Sequence, residues 1–165
     1  MLINQKVDLQ LNASELFLEG VLFVNSSQWL PAYSIFKHLT EGAQHPSTAT
    51  LYNMALCYFS AKEYLQTISN LNEAILNMAG SPKHQLRIPH VLLLSEYEHN
   101  AHKLALTESV VQLNASVVKL RIRRLLVDAN LELGNWEEVI RLSTLPEMDQ
   151  CKNVIEAVNL AKINQ

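Results

Sequence analysis

Apolar positions recur at helical spacing in three stretches of this chain, and each stretch is broken once by short polar residues. In residues 49–76, Leu51, Met54, Ala55 and Tyr58 follow the i, i+3, i+4, i+7 rule of a half-buried helix. After the break, Tyr64, Ile68, Leu71, Ala74 and Ile75 form a second stripe. Residues 14–39 and 120–145 repeat the arrangement. The breaks, "NSSQ", "SAKE" and "LGN", leave room only for tight antiparallel helical hairpins. The pattern predicts an all-α fold.

Local chemistry at the breaks agrees with this reading. Gly134 can adopt the left-handed conformation that ends a helix at no steric cost. Asn135 is a good N-cap, and Glu138 three residues later suits a capping box. Pro31 falls in the first turn of its helix, where a missing N–H matters least. A large aromatic follows each break: Trp29, Tyr64 and Trp136. Their spacings are 35 and 72 residues, one period and about two.

A period of about 34–36 residues with an aromatic just inside the second helix resembles the tetratricopeptide repeat. Tyr52, Asn53, Met54, Ala55, Tyr58, Tyr64, Ile68, Leu71 and Ala74 carry the resemblance in the middle copy, with Thr67 where alanine is usual. In the first copy Gly20 takes the small-residue position, followed by Phe23, Trp29, Ala32 and Phe36. In the third, Gly134, Trp136 and Ile140 fit, while the stripe Ile122, Leu125, Leu126, Ala129 and Leu133 sits one residue early. The resemblance implies a right-handed superhelix of helix pairs over residues 13–46, 48–81 and 119–146. It also implies a degenerate copy over 88–115 and a capping helix over 149–163, with Cys151, Val154, Ile155 and Val158 on the covering face. The aromatics after the breaks are then packing residues, and truncating a buried Trp136 would cost about 3–5 kcal/mol.

Such solenoids work through the concave face. The resemblance places Phe17, Leu18, Val21 and Val24 there from the first copy, and Tyr52, Asn53, Leu56 and Phe59 from the second. This surface is apolar and aromatic. Either another part of the chain fills it, or it takes an extended or helical peptide with hydrophobic anchors while Asn53 bonds the peptide backbone. The family's Lys–Asn–Arg clamp for a terminal carboxylate is not implied, because Phe17 and Val21 stand where Lys and Asn would be needed. In "KLRIRR", Arg124 faces the groove in either helical phase and Arg121 in one of them. Two readings stay open for these arginines: contact with an acidic ligand, or local ion pairs with Asp128 and Glu132.

Composition narrows the function. With 165 residues, 48% hydrophobic and 18% charged, the chain has the makeup of one folded domain. A net charge of −3 argues against a general nucleic-acid or acidic-membrane binder. No apolar run approaches membrane-spanning length and no signal peptide is visible, which favours cytoplasm or nucleus. Three Asn-x-Ser sequons, at Asn12, Asn25 and Asn114, are discounted for want of a secretion signal. Cys57 and Cys151 form no CxxC and read as core residues. Glu96, His99 and His102 share a one-turn spacing but lack further ligands, so they read as surface residues rather than a metal site. No phosphate loop, GxSxG or HExxH occurs. The expectation is a non-enzymatic scaffold or adaptor without cofactor or metal, holding a protein or peptide partner in its groove, with homo-oligomerisation left open. The alternative is a small chaperone that keeps a secretion or assembly substrate soluble.

Overall fold

The computed structural model describes the backbone of residues 2–79, 94–98 and 100–164, and side chains from residue 12 onward. Every regular element among the described residues is helical. Helices α1 (Leu2–Asn25) and α2 (Trp29–Glu41) form a first hairpin, and α3 (Thr48–Ser60) and α4 (Tyr64–Asn77) a second. A 3₁₀ turn at Ala101–Lys103 and a short helix α5 (Glu108–Leu113) lead into the third hairpin, α6 (Ala115–Glu132) and α7 (Trp136–Ser143). A second 3₁₀ turn (Met148–Gln150) precedes α8 (Lys152–Asn164). Helix α2 packs on α3, α4 packs directly on α6, and α8 covers α6 and α7.

The three hairpins turn on one backbone device. Ser27, Lys62 and Gly134, each two residues before an aromatic, have φ of 57°, 62° and 71°. The next residue donates its N–H five residues back: Gln28 to Phe23 O at 2.8 Å, Glu63 to Tyr58 O at 2.9 Å, Asn135 to Asn130 O at 2.9 Å. The left-handed residue itself donates to Val24, Phe59 and Leu131 carbonyls, each at 3.0 Å. This is the Schellman termination, which satisfies carbonyls that a helix end would otherwise orphan. Glycine was the readable member of the set; serine and lysine accept the same conformation at a cost.

Close packing at the first hairpin depends on Gly20. A Cβ there would lie 2.8 Å from Phe36 Cζ, and Phe36 is fully buried between helices with little room to move. Phe17 meets the same ring edge-on, with centroids 5.8 Å apart. Helix α3 is the centre of the molecule, buried without a break from Thr48 to Cys57. A helix enclosed on all sides must be covered by more than its hairpin partner. Helices α1, α2, α4 and α5 all contact it.

Several expectations are corrected. Asn135 makes no side-chain cap bond; its amide donates to Asn130 Oδ1 at 3.0 Å, and Glu138 instead pairs with Arg141. Trp29 and Trp136 are half-buried at the rim of the core and Tyr64 is half-buried against Phe59, so truncating Trp136 costs less than a fully buried residue would. In α8 the covering face runs through Cys151, Val154, Ala157 and Ala161, whereas Ile155 points to solvent. Leu133 is likewise exposed at the end of the α6 stripe. Within 88–115 the described residues are helical at 94–96 and in α5, with the 3₁₀ turn and extended chain between them; residues 88–93 and 99 lie outside the described residues.

The shared turn makes a paired prediction. A side chain in the left-handed region costs roughly 1–2 kcal/mol, while the added freedom of glycine in the unfolded chain offsets about 0.4–1 kcal/mol of any gain. Lys62→Gly is therefore expected to raise the melting temperature modestly, and Gly134→Ala to lower it. Thermal unfolding of the two variants checks both signs. A clear drop for Lys62→Gly would show that the turns are not equivalent.

Candidate functional site

The sequence-predicted groove residues come together in part. Phe17, Val21, Val24, Tyr52, Asn53 and Leu56 are buried, Phe59 is half-buried, and Leu18 lies outside the groove on the exposed side of α1 at 55% exposure. What buries the α3 face is the chain itself. After the 3₁₀ turn, residues 104–107 run extended past α3, and the strap of residues 101–108 occupies the surface that the sequence left either to another part of the chain or to a partner peptide.

The strap has no strand to pair with, so its main chain is satisfied by side chains. Asn53 Nδ2 donates to Leu106 O at 2.8 Å, and Leu106 N–H donates to Asn53 Oδ1 at 2.8 Å. A carboxamide sets an NH2 donor group beside a carbonyl acceptor at peptide spacing, so it copies the pairing of a neighbouring strand. Ala105 N–H donates to Asn25 Oδ1 at 3.0 Å, and the Tyr52 hydroxyl donates to the His102 carbonyl. At the far end Ser47 Oγ bonds the Glu108 carboxylate, and the same hydroxyl accepts the Thr50 N–H at 3.1 Å as the cap of α3. The positive end of α3 thus lies beside a carboxylate.

A second network fixes the chain just before the strap. Arg124 is fully buried; its Nε donates to Asn153 Oδ1 at 2.7 Å and its terminal nitrogens to the carbonyls of Glu96 and Glu98. Arg121 grips the Glu96 carboxylate with two bonds of 2.6 and 2.7 Å. Burial opposes the Arg121 charge, but the Glu96 pair outweighs it and raises the guanidinium pKa. Both arginines are thus engaged by the chain's own residues 96–98. Neither pairs with Asp128 or Glu132 in the way local ion pairs would.

Asp128 instead holds the strap. Its Oδ2 lies 2.6 Å from His102 Nε2 and 3.8 Å from Lys103 Nζ, and its Oδ1 accepts from Asn153 at 2.7 Å. His102, expected at the surface, is fully buried, and its Nδ1 has no hydrogen-bond partner among the described residues. A neutral ring that donates Nε2–H to the carboxylate fits this arrangement. Burial lowers the His102 pKa by more than the Asp128 hydrogen bond raises it. Burial pushes the Asp128 carboxyl up, yet His102, Asn153 and Lys103 together hold it below the usual range.

Other chemistry is limited. Among the described residues no three His, Cys, Asp or Glu side chains are grouped to hold a metal ion. Both cysteines are free and buried; burial pushes the Cys57 thiol up to about 12 and that of Cys151 up to about 11. Neither is a ready nucleophile. No helix among the described residues is long and apolar enough to cross a membrane. Two clefts flank the strap. One of about 370 Å³ is lined by Val24, Trp29, Leu56, Phe59, Lys103 and Leu104. Another of about 610 Å³ lies between α1, α2 and the start of α3, with Phe17, Leu39, Pro46 and Glu108 in its walls.

Sequence reasoning singled out Asn53 and the arginines, with other partners in view for the arginines, and did not connect His102, Asp128, Asn153 and Ser47 with this surface. Ser47 before an apolar helix is a readable cap. The others bond across 25 to 29 residues or more, with no local spacing to announce them. Comparison with protein-family models, with curated proteins and with solved structures finds no match for the chain.

Two outcomes follow for the bare protein. Removing the Asn53 carboxamide leaves a buried N–H and C=O without partners, each costing about 1–3 kcal/mol. Asn53→Ala is expected to destabilise by roughly that sum, and denaturant unfolding measures it. Because the folded pKa of His102 is depressed, the unfolded chain binds that proton first as pH falls below about 6.5. The His102 contribution is therefore complete above that pH and is lost as pH drops through the lower folded value. His102→Gln is expected to flatten the fall in stability between about pH 6.5 and 5, a range above ordinary carboxylate titration. An unchanged slope would remove His102 as the titrating group.

Proposed function

We propose that this chain is a non-catalytic protein-interaction domain of the tetratricopeptide type, a scaffold or adaptor that holds an extended segment of a partner along the groove beside α3. Three hairpins with the same turn two residues before an aromatic support the architecture, as does the like packing of α2 on α3 and α4 on α6. A right-handed superhelix is the arrangement such a series of hairpins adopts.

The observation that carries the functional reading is the Asn53 carboxamide, buried in an apolar wall and bonded to both main-chain groups of an extended residue. A surface that binds backbone in this way recognises extended chain, with apolar pockets supplying selectivity. The cleft beside Phe59 and Leu104 continues the same path past the strap, and Leu104 is about half exposed at its edge (49%). A small chaperone of the same architecture would use the same groove. It differs in holding unfolded substrate instead of one sequence, so its peptides would share no register.

Selection of random extended peptides on the full chain tests the reading. Peptides with a hydrophobic anchor in a common register are expected, and Phe59→Glu is expected to weaken their binding at least roughly tenfold while helicity is retained, since a buried charge in an apolar contact costs more than 1.4 kcal/mol. Selected peptides that bind Phe59→Glu as well as wild type would move the site off this face. Peptides without common register would favour the chaperone.

A further inference from the structure

We propose that the segment from Lys103 to Leu113 is a displaceable internal ligand, and that the partner it stands in for is an extended peptide with a small residue, a leucine-like anchor and an acid two places beyond it. This rests on the groove reading above and supplies its ligand class and its control. Between His102 and Val117, Leu106 is the one buried residue; α5 buries none at all. Ala105, Val110 and Val111 pack against the core but stay half-buried, so a stretch with one fully enclosed anchor is a weaker local unit than α3, buried continuously from Thr48 to Cys57. Local opening with low free energy is what such contrasts in burial produce.

The grip on the segment also does not depend on most of its sequence. Asn53 and Asn25 bind the main chain of Leu106 and Ala105, groups that any extended peptide would offer. Besides Lys103 beside Asp128 and the half-buried Val110 and Val111, side chains of the extended stretch matter at three places. Leu106 is fully enclosed, Ala105 before it is partly covered, and the Glu108 carboxylate sits against Ser47 at the start of α3. The helix end and its cap hydroxyl favour an acid at that position. Upstream, His102 remains pinned by Asp128 and residues 96–98 by the two arginines, so the segment can peel away without unthreading the rest.

Hydrogen exchange of the full wild-type chain and binding of a labelled synthetic peptide of residues 103–113 test this together. The Leu106 amide is expected to exchange roughly 100-fold or more faster than the amides in the middle of α3, through local opening. The peptide is expected to bind Leu106→Asp, whose own anchor is spoiled, at least roughly tenfold more tightly than wild type, as release of an internal competitor requires. Adding Asn53→Ala should abolish that binding. A Leu106 amide that exchanges only with global unfolding would overturn the proposal and make the strap a fixed part of the fold; the exchange result needs no variant. Rapid local exchange with no peptide binding to folded Leu106→Asp would overturn the groove reading instead.

Discussion

The pairing of Asn53 with Leu106 is the contact on which the arrangement around α3 depends. Helix α3 is buried on every side from Thr48 to Cys57, so one of its faces must be covered by something other than a hairpin partner. The cover is extended chain, and extended chain brings a buried N–H and C=O at each residue that water can no longer satisfy. One carboxamide, fully buried and 53 residues away in sequence, meets both groups of Leu106. Without it the strap could reach the groove only by leaving two polar groups unpaired, and the groove could stay dry only by finding another cover.

The strap and the arginine network divide the work. Arg124, Asn153 and Asp128 form a continuous buried chain of hydrogen bonds that ties α6 to α8 and to the carbonyls of Glu96 and Glu98. Each donor there has an acceptor, which is the condition under which buried polar networks fix one arrangement. Past Lys103 the character changes: the main chain of Ala105 and Leu106 is bonded by side chains, and full apolar burial narrows to Leu106, with Val110 and Val111 half-buried. A firmly held entry leading to a lightly held segment is the physical basis for a groove whose cover can yield.

Much of the fold was legible in the sequence because it is written in local terms. The hairpin breaks at 26–28, 61–63 and 133–135 follow from helical periodicity and turn chemistry, and the small residue at Gly20 marks a close helix approach that the Phe36 ring makes real. Asn53 was singled out through the repeat resemblance, which places it on the groove face as a donor to peptide backbone. The occupant of the groove was not, since "KLALTES" has the spacing of a helix and only tertiary pairing to Asn53, Asn25 and Tyr52 draws its first half out into extended chain. His102 was placed at the surface because nothing in its neighbourhood signals Asp128, 26 residues on. Trp29 and Trp136 pack against the core as expected, though only half-buried, since residues that open a hairpin's second helix sit at the rim.

Solution NMR of the side-chain amide of Asn53 is the most direct test of the central claim, that this groove binds extended main chain and that the strap supplies it. The account predicts nuclear Overhauser contacts from the Asn53 Nδ2 protons to residues 105–107, together with slow exchange of those protons with water. An Asn53 amide that exchanges freely with water and shows no contact to Leu106 would contradict it.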